Sequence, residues 1–148
     1  MPKKSKNLKK NFVYALGRRK SASARVKLYK KSFRSGNIKE NSEDLVNGQV
    51  IGRYFPGEAM RKIWLRPFEL TDTLNKYFVM IKVVGGGKMG QLEAVVHGVS
   101  KALSVANPEK FKRVLKKAGL LTRDPRIRER RKVGTGGKAR RKKQSPKR

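Results

Sequence analysis

The distribution of charge along this chain limits what it can fold into more than any other feature of the sequence. Residues Thr122 to Arg148 carry 13 Lys or Arg and two acids, and their only sizeable aliphatic side chains are Ile127 and Val133. Such a segment cannot bury enough apolar surface to offset the entropy lost when it becomes ordered. It is therefore either a solvated, disordered tail or a segment that is held by a partner supplying negative charge.

The composition of the whole chain favours a polyanionic partner. Forty basic and ten acidic residues give a net charge of +30 over 148 residues, and a chain with this charge repels itself. A phosphate backbone removes that repulsion, and the release of its condensed counterions dominates sequence-independent nucleic-acid affinity. No membrane attachment is predicted, because no apolar run approaches the roughly 20 residues that span a bilayer and the basic tail has no apolar face.

Hydrophobicity and charge together divide the chain into three parts. Residues 1–11 contain five lysines and no acid and are expected to be a flexible basic arm. Residues 12–121 contain nearly all the large apolar side chains, enough for one small globular core. Residues 122–148 form the basic tail. The absence of cysteine fits a reducing compartment, and the apolar run FVYAL is shorter than the core of a secretory signal, which has about 7 to 15 residues.

Apolar spacing in the globular part indicates strands first and helices later. Ala22, Ala24, Val26 and Leu28 alternate with polar residues, as in a half-buried strand with a basic outer face. The segment from Tyr77 to Val84 is apolar almost throughout, which predicts a central strand. Between these, we expect a short strand at Gly36 to Ile38, and then loops from Leu45 to Thr73 around a short helix at Glu58 to Leu65.

Two helices are predicted after the strand at Tyr77. Helical spacing of apolar residues extends from about Met89 to Ala106. The sequence Asn107-Pro108-Glu109 then supplies a cap, a proline suited to the first helical position and an acid in the first turn, so a second helix begins there and ends at Gly119. Strands followed by two helices predict an α+β fold of two layers, with helices on one face of a sheet.

Three glycines that follow the last strand and open the first of these helices match the pattern of a dinucleotide-binding turn. Gly85, Gly87 and Gly90 satisfy G-x-G-x-x-G. The next requirement, a parallel strand ending in a ribose-binding acid, is missing, because the chain passes from Ala106 directly into another helix. No nicotinamide, flavin or other cofactor is therefore predicted. A glycine-rich turn at a helix N-terminus can still hold a phosphate through backbone N–H groups, or it can simply be a tight turn that requires positive φ.

Residues with catalytic chemistry form no recognisable group. His97 is the only histidine, so any triad would have to use it, and its mid-helix position favours a packed or RNA-facing side chain over a general base. Tyr54, Phe55, Trp64 and Phe68 are expected to pack in the core, with base stacking on an exposed ring as the alternative. An enzyme is not predicted.

Several motifs in order resemble one family. GRRKSASARV at Gly17 to Val26, YFPGE from Tyr54, GGGKMGQ from Gly85, HGVSKAL from His97 and LKKAGLLTRDPRIRERRK from Leu115 are similar to the small ribosomal subunit protein nine family, bacterial or organellar type. The resemblance is collinear from about Asn11 to the terminus. It implies a structural protein of the small-subunit head in a bacterial or organellar ribosome, beside other head proteins, with a fold like the second domain of ribosomal protein five and a left-handed crossover.

The resemblance also implies the binding residues. The small-subunit ribosomal RNA, in its 3′ major domain, would be bound by the first basic motif, by the glycine turn and by the tail, while the tail tip would approach the peptidyl-site transfer RNA. The residues implied for ribosomal RNA are Arg18, Arg19, Lys20, Arg25, Gly85, Gly86, Gly87, Arg123, Arg126, Arg128, Arg130, Arg131, Lys132, Lys138, Arg140, Arg141, Lys142 and Lys143, and those implied for transfer RNA are Lys147 and Arg148.

The chain departs from the family pattern at three places. Val96 stands where a basic residue is usual, Ser145 stands where an aromatic residue usually follows Gln144, and the stretch from Val133 to Gly137 lacks an aromatic residue. The rival to a ribosomal role is a generic nucleic-acid condensing protein, which would share the charge but would show little preference between RNA and DNA at equal ionic strength.

Overall fold

A computed structural model describes residues 12–31 and 43–133, which form one mixed sheet and four helices. The sheet has the strand order β1-β2-β5-β3-β4. Its strands are β1 (Phe12–Arg19), β2 (Ala22–Lys30), β3 (Leu45–Val46), β4 (Gln49–Val50) and β5 (Tyr77–Val84). The helices are α1 (Ile51–Tyr54), α2 (Glu58–Leu70), α3 (Lys88–Ala106) and α4 (Pro108–Lys117).

The three long strands form the antiparallel part of the sheet. β2 pairs with β1 on one side and with β5 on the other. The alternation predicted for β2 is confirmed, because Ala22, Ala24, Val26 and Leu28 are all buried. β5 has a neighbour on each side, so its predicted central position is also confirmed.

Helix α3 covers one face of this sheet at unusually short range. It packs against β1, β2 and β5, and α2 and α4 pack against α3 in turn. A Cβ atom at Gly17 would lie 1.9 Å from the carbonyl oxygen of Ala94, and one at Gly98 would lie 2.7 Å from a methyl group of Val26. These glycines let the backbone of the helix approach the strands, so the observed packing depends on the absence of side chains there. The described residues thus form the predicted α+β arrangement of two layers.

Helix α4 begins and ends as the sequence indicates. The side chain of Asn107 accepts a hydrogen bond from the backbone N–H of Lys110, and Pro108 occupies the first turn. At the other end Gly119 has φ 72° and the backbone N–H of Leu120 donates to the carbonyl of Leu115, which is a Schellman ending. Leu120 and Leu121 then pack back against the core.

The segment between β2 and β5 differs from the sequence prediction. Where loops were expected, β3 and β4 form a small hairpin around Asn47-Gly48, and α1 follows directly. The side chain of Asn47 exchanges two hydrogen bonds with the backbone of Val83, at 2.9 and 3.1 Å, and so continues the pairing of a two-residue strand. A strand this short leaves no periodicity to detect.

Helix α2 is also longer than predicted, since it continues through Pro67 to Leu70. Burial of Trp64, Pro67 and Phe68 outweighs the hydrogen bond that the proline removes. Phe55 is buried and Tyr54 packs against the core, so core packing of this aromatic group is confirmed. The predicted strand at Gly36 to Ile38 lies outside the described residues.

The connection from β3 to β5 is a crossover. The two strands are parallel neighbours, and the chain between them forms β4, α1 and α2. The left-handed sense implied by the family resemblance remains a prediction.

Candidate nucleic-acid interface

Two turns that the sequence placed 65 residues apart meet at one end of the sheet. Lys20 occupies the turn between β1 and β2 with φ 51°, and Gly85 and Gly86 follow β5 with φ 75° and 67°. A Cβ atom at Gly85 would lie 2.6 Å from the carbonyl oxygen of Ser21. The glycines are therefore required both by backbone conformation and by contact with the hairpin, which confirms a tight turn; phosphate binding there remains a prediction.

The glycine turn leads directly into the N-terminus of α3. Gly87 precedes the helix and supplies no side-chain cap, and the side chain of Gln91 donates to the carbonyl of Gly85 at 3.1 Å. The ammonium group of Lys88 lies 3.8 Å from the ring centroid of Tyr54 and donates to its carbonyl at 3.2 Å. Sequence reasoning missed Lys88, although a cation directly after a glycine-rich turn is a detectable signal.

The first basic motif is divided between the two faces of the sheet. In β1 residues Val13, Ala15, Gly17 and Arg19 lie on the face covered by α3, and Arg18 lies on the opposite face. Arg18 is exposed, as are Lys20 and Arg25. The sequence motif therefore places two adjacent arginines in different environments.

Arg19 attaches the beginning of the tail to the globular part. Its side chain is 13% exposed and forms ion pairs with Glu93 of α3 and with Asp124, the latter at 3.1 Å. It also donates to the backbone carbonyl of Arg126 at 2.7 Å. Three donor positions of the guanidinium are thus directed at protein acceptors, and we call this contact the tail anchor.

Asp124 is the central acceptor of the tail anchor. It accepts hydrogen bonds from the side chain and the backbone N–H of Arg126, at 2.7 to 3.0 Å. These bonds, together with the charges of Arg126 and Arg19, hold the pKa of the Asp124 carboxyl far below its usual range. Asp124 therefore carries its negative charge at neutral pH. Asp124, one of the two acids in the tail, thus fixes the direction in which the tail leaves the globular part.

His97 forms a second contact between α3, β1 and the end of the globular part. Its Nδ1 accepts a hydrogen bond from the backbone N–H of Arg18, and its Nε2 lies 3.3 Å from the carbonyl oxygen of Leu121. This pattern fits a neutral ring with the proton on Nε2. Burial lowers the pKa of His97, and the charges of Lys101 and Arg123 act in the same direction. The ring serves as a neutral bridge, in agreement with a packed histidine.

The remaining predicted residues lie along the tail. From Thr122 to Val133 the described chain forms neither helix nor strand, and its basic side chains are exposed. These are Arg123, Arg126, Arg128, Arg130, Arg131 and Lys132. The predicted residues Lys138, Arg140, Arg141, Lys142, Lys143, Lys147 and Arg148 lie outside the described residues. No helix of the described residues is long and apolar enough to cross a membrane.

The order of elements after the glycine turn differs from that of a dinucleotide-binding unit. β5 leads into α3, and α3 leads into α4 across the single residue Asn107. A dinucleotide fold instead requires a second parallel strand after the helix.

Comparison with known proteins identifies the family of the chain. Residues 17–148 match the family described as Ribosomal protein S9/S16. The chain belongs to this ribosomal protein family. It is 45% identical over 130 residues to the small ribosomal subunit protein uS9 of Maridesulfovibrio salexigens, covering 88% of this chain and 92% of that protein. It is 46% identical over 135 residues to the protein of the same name from Rickettsia rickettsii, covering 91% of this chain and 78% of that protein.

Membership of the S9/S16 family confirms the resemblance drawn from the motifs, and the match includes the first basic motif, the glycine turn, the tail anchor and the tail. Proteins of this family are structural components of the ribosome, and this chain is accordingly not an enzyme.

Proposed function

We propose that this protein is a structural constituent of the head of the small ribosomal subunit, in a bacterial or organellar ribosome, and that it binds the 3′ major domain of the small-subunit ribosomal RNA. Family membership over residues 17–148 is the observation that carries the proposal. The relatives from Maridesulfovibrio and Rickettsia are named as small-subunit proteins. Neighbouring head proteins are the protein partners that this position implies.

The hairpin end of the sheet is the proposed RNA contact of the globular part. Lys20, Arg18 and Arg25 present exposed cations there, and the Gly85 to Gly87 turn presents backbone N–H groups beside the N-terminus of α3. Cations and N–H groups together suit phosphate oxygens. Arg19 and Arg126 contribute to binding chiefly by fixing the direction in which the tail leaves, since their side chains contact protein acceptors.

The tail has the highest density of basic residues available for electrostatic affinity. Thirteen of the 40 basic residues lie between Thr122 and Arg148, against two acids. The logarithm of affinity falls with the logarithm of salt with a slope of about 0.7 to 0.9 per neutralised phosphate. Deleting residues 122–148 should therefore flatten the salt dependence of ribosomal RNA binding by several units, measured by filter binding to a transcript of the 3′ major domain.

Two controls make this test specific. Deleting residues 1–11 removes five lysines, so a smaller change in slope is expected if the tail is the principal contact. Binding of the intact chain to DNA of equal length tests the rival function, since a condensing protein would bind both polymers alike. An unchanged slope after tail deletion, or equal affinity for RNA and DNA, would contradict the proposal.

We further propose that the tail tip contacts the peptidyl-site transfer RNA. A chain of 27 residues can extend about 90 Å, at about 3.3 Å per residue, and a terminal guanidinium can hold a phosphate through two hydrogen bonds. Removing Lys147 and Arg148 should weaken transfer RNA retention by about 1 to 3 kcal/mol, the range for charge-assisted hydrogen bonds, while incorporation of the protein into subunits stays near normal.

The measurement is transfer RNA dissociation from purified small subunits, together with the amount of truncated chain that they contain. A Lys3→Gln, Lys4→Gln variant removes the same charge at the other end and should leave retention unchanged. Collapse of incorporation, or unaltered dissociation, would exclude this role for the tip.

A further inference from the structure

The face of the sheet opposite α3 is exposed around Tyr14, Arg25, Lys27 and Lys82, whereas Tyr29 and Phe78 at its other end are buried. Alternation and register place four basic residues on this face, which are Arg18, Arg25, Lys27 and Lys82. None of the strand residues that share the face is acidic. Among the described residues, Arg25, Lys27 and Lys82 take no part in the ion pairs formed by Arg19, Lys62 and Arg126. We refer to the surface around Tyr14, Arg25, Lys27 and Lys82 as the open face.

Pairing between the strands brings like charges together on the open face. Arg25 of β2 is the direct cross-strand partner of Lys82 of β5, and Lys27 is the next residue along the same face. Directly opposed like charges destabilise a sheet, because their Cβ atoms lie only about 4.5 to 5.5 Å apart. A bound anion between these residues would remove that repulsion.

Flat and apolar surface lies between the cations. Tyr14, the cross-strand partner of Lys27, is 51% exposed. Met80 and Leu45 continue the surface across β5 and β3, and together these residues line a shallow depression of about 740 Å³. The ammonium group of Lys27 lies 5.1 Å from the ring centroid of Phe12, a contact that favours one orientation of its side chain.

None of the segments outside the described residues carries a net negative charge. Residues 1–11 contain no acid, residues 32–42 contain Glu40 against Arg34 and Lys39, and the tail is strongly basic. A second copy would bring a further net charge of +30. The complementary partner must therefore be a different molecule that carries regularly spaced negative charge.

We propose that the open face binds an unpaired segment of RNA, with Tyr14 stacking on a base and with Arg25, Lys27 and Lys82 contacting its phosphates. The inference rests on the proposed function in taking RNA as the partner, and it extends the proposed contact from the hairpin end, through Arg25, along the side of the sheet away from α3. An acidic protein segment supplies charge but no flat face, whereas each unpaired nucleotide supplies both. Cations interleaved with an exposed ring are typical of single-strand binding.

Crosslinking tests the position of the RNA. The full chain is bound to a transcript of the 3′ major domain and irradiated, and crosslinked peptides are identified by mass spectrometry. We expect a crosslink at Tyr14 that falls at least about tenfold in a Lys27→Gln, Lys82→Gln variant, because two charge-assisted contacts are lost. A Lys112→Gln, Lys116→Gln variant removes the same charge from exposed positions of α4 and should retain the crosslink.

Affinity measurements separate stacking from charge. Tyr14→Leu should weaken binding about tenfold and Tyr14→Phe should retain it, since stacking contributes about 1 to 3 kcal/mol per base. Equal affinities for the Leu and Phe variants would overturn the inference. Displacement of the RNA from Tyr14 by polyglutamate at equal charge concentration would also overturn it, and would favour an acidic protein partner.

The outcomes also distinguish this inference from the proposed function. Tight, selective binding of ribosomal RNA without a crosslink at Tyr14 would overturn the inference and leave the function standing. A crosslink at Tyr14 without preference for ribosomal over unrelated RNA would support the open face and contradict the function.

Discussion

The two faces of the sheet use the same strands in opposite ways. On the covered face, glycines admit the backbone of α3 to within contact distance of β1, and Arg19 is surrounded by acceptors. On the open face, Arg25 and Lys82 oppose each other without a carboxylate among the strand residues of that face. The covered face holds the protein together and directs the tail, whereas the open face is the surface on which we propose that RNA binds. Arg18 and Arg19, which are adjacent in sequence, fall on different sides of this division.

The largest expected effect concerns close packing on the covered face. Gly17→Ala introduces a Cβ only 1.9 Å from a backbone oxygen, which the helix cannot avoid without moving. We expect the free energy of unfolding to fall by about 3 kcal/mol or more, at or above the usual range for overpacking. Urea unfolding monitored by circular dichroism measures this.

Gly52→Ala is the matched control for this substitution, since a Cβ there meets no atom within 4 Å. It should leave stability unchanged or raise it by up to about 1 kcal/mol, because Gly52 lies in a helix. If both variants lost similar stability, close packing on the covered face would not account for the effect of Gly17→Ala.

A smaller effect is expected at the tail anchor. Arg19→Met removes the donors that hold Asp124 and the carbonyl of Arg126. Trypsin cleavage after Arg123 should become about tenfold faster, since cleavage follows local opening of the segment. Appearance of the C-terminal fragment by mass spectrometry gives the rate. Arg18→Met, on the opposite face, should leave the rate unaltered, and acceleration by both variants would refute a specific anchor.

The next effect is a pH dependence at His97. Burial lowers the pKa of this residue in the folded state, so below about pH 6.5 the unfolded chain binds a proton that the folded chain does not. Stability is therefore complete above about pH 6.5 and declines as the pH falls toward the folded pKa, by at most about 1.4 kcal/mol per pH unit. Unfolding midpoints between pH 7.5 and 5 measure the slope. A His97→Gln variant should lose this contribution, and an unchanged slope would assign it elsewhere.

The smallest expected effect on stability belongs to the open face. Lys27→Gln with Lys82→Gln relieves repulsion and disturbs no ion pair among the described residues. The free energy of unfolding should change by less than about 0.5 kcal/mol, or rise slightly. Thermal unfolding at low salt would detect a larger change. A loss comparable to that of Gly17→Ala would show that the open face is structural.

Sequence patterns predicted β2, β5, α3 and α4 correctly. The alternation of β2 follows from burial with a period of two, and β5 follows from an almost continuous apolar run. Helix α4 begins at the Asn107 cap and stops before Gly119 as expected. The hairpin of β3 and β4 could not be predicted, because side chains of Asn47 and Asp44 complete its pairing with β5. The length of α2 was underestimated because burial of Trp64 and Phe68 in the core carries the helix through Pro67.

The sequence by itself determined that this protein is basic, α+β in class and a member of the S9/S16 family, since charge, periodicity and ordered motifs are properties of the chain alone. Only the tertiary structure decided which basic side chains form ion pairs within the protein. Strand alternation directs Arg19 to the covered face, where it forms ion pairs with Glu93 and Asp124 from distant parts of the chain. The same alternation places Arg25 opposite Lys82 on the open face. A charge acquires its role from the groups that folding brings within a few ångströms, and local sequence does not contain those distances.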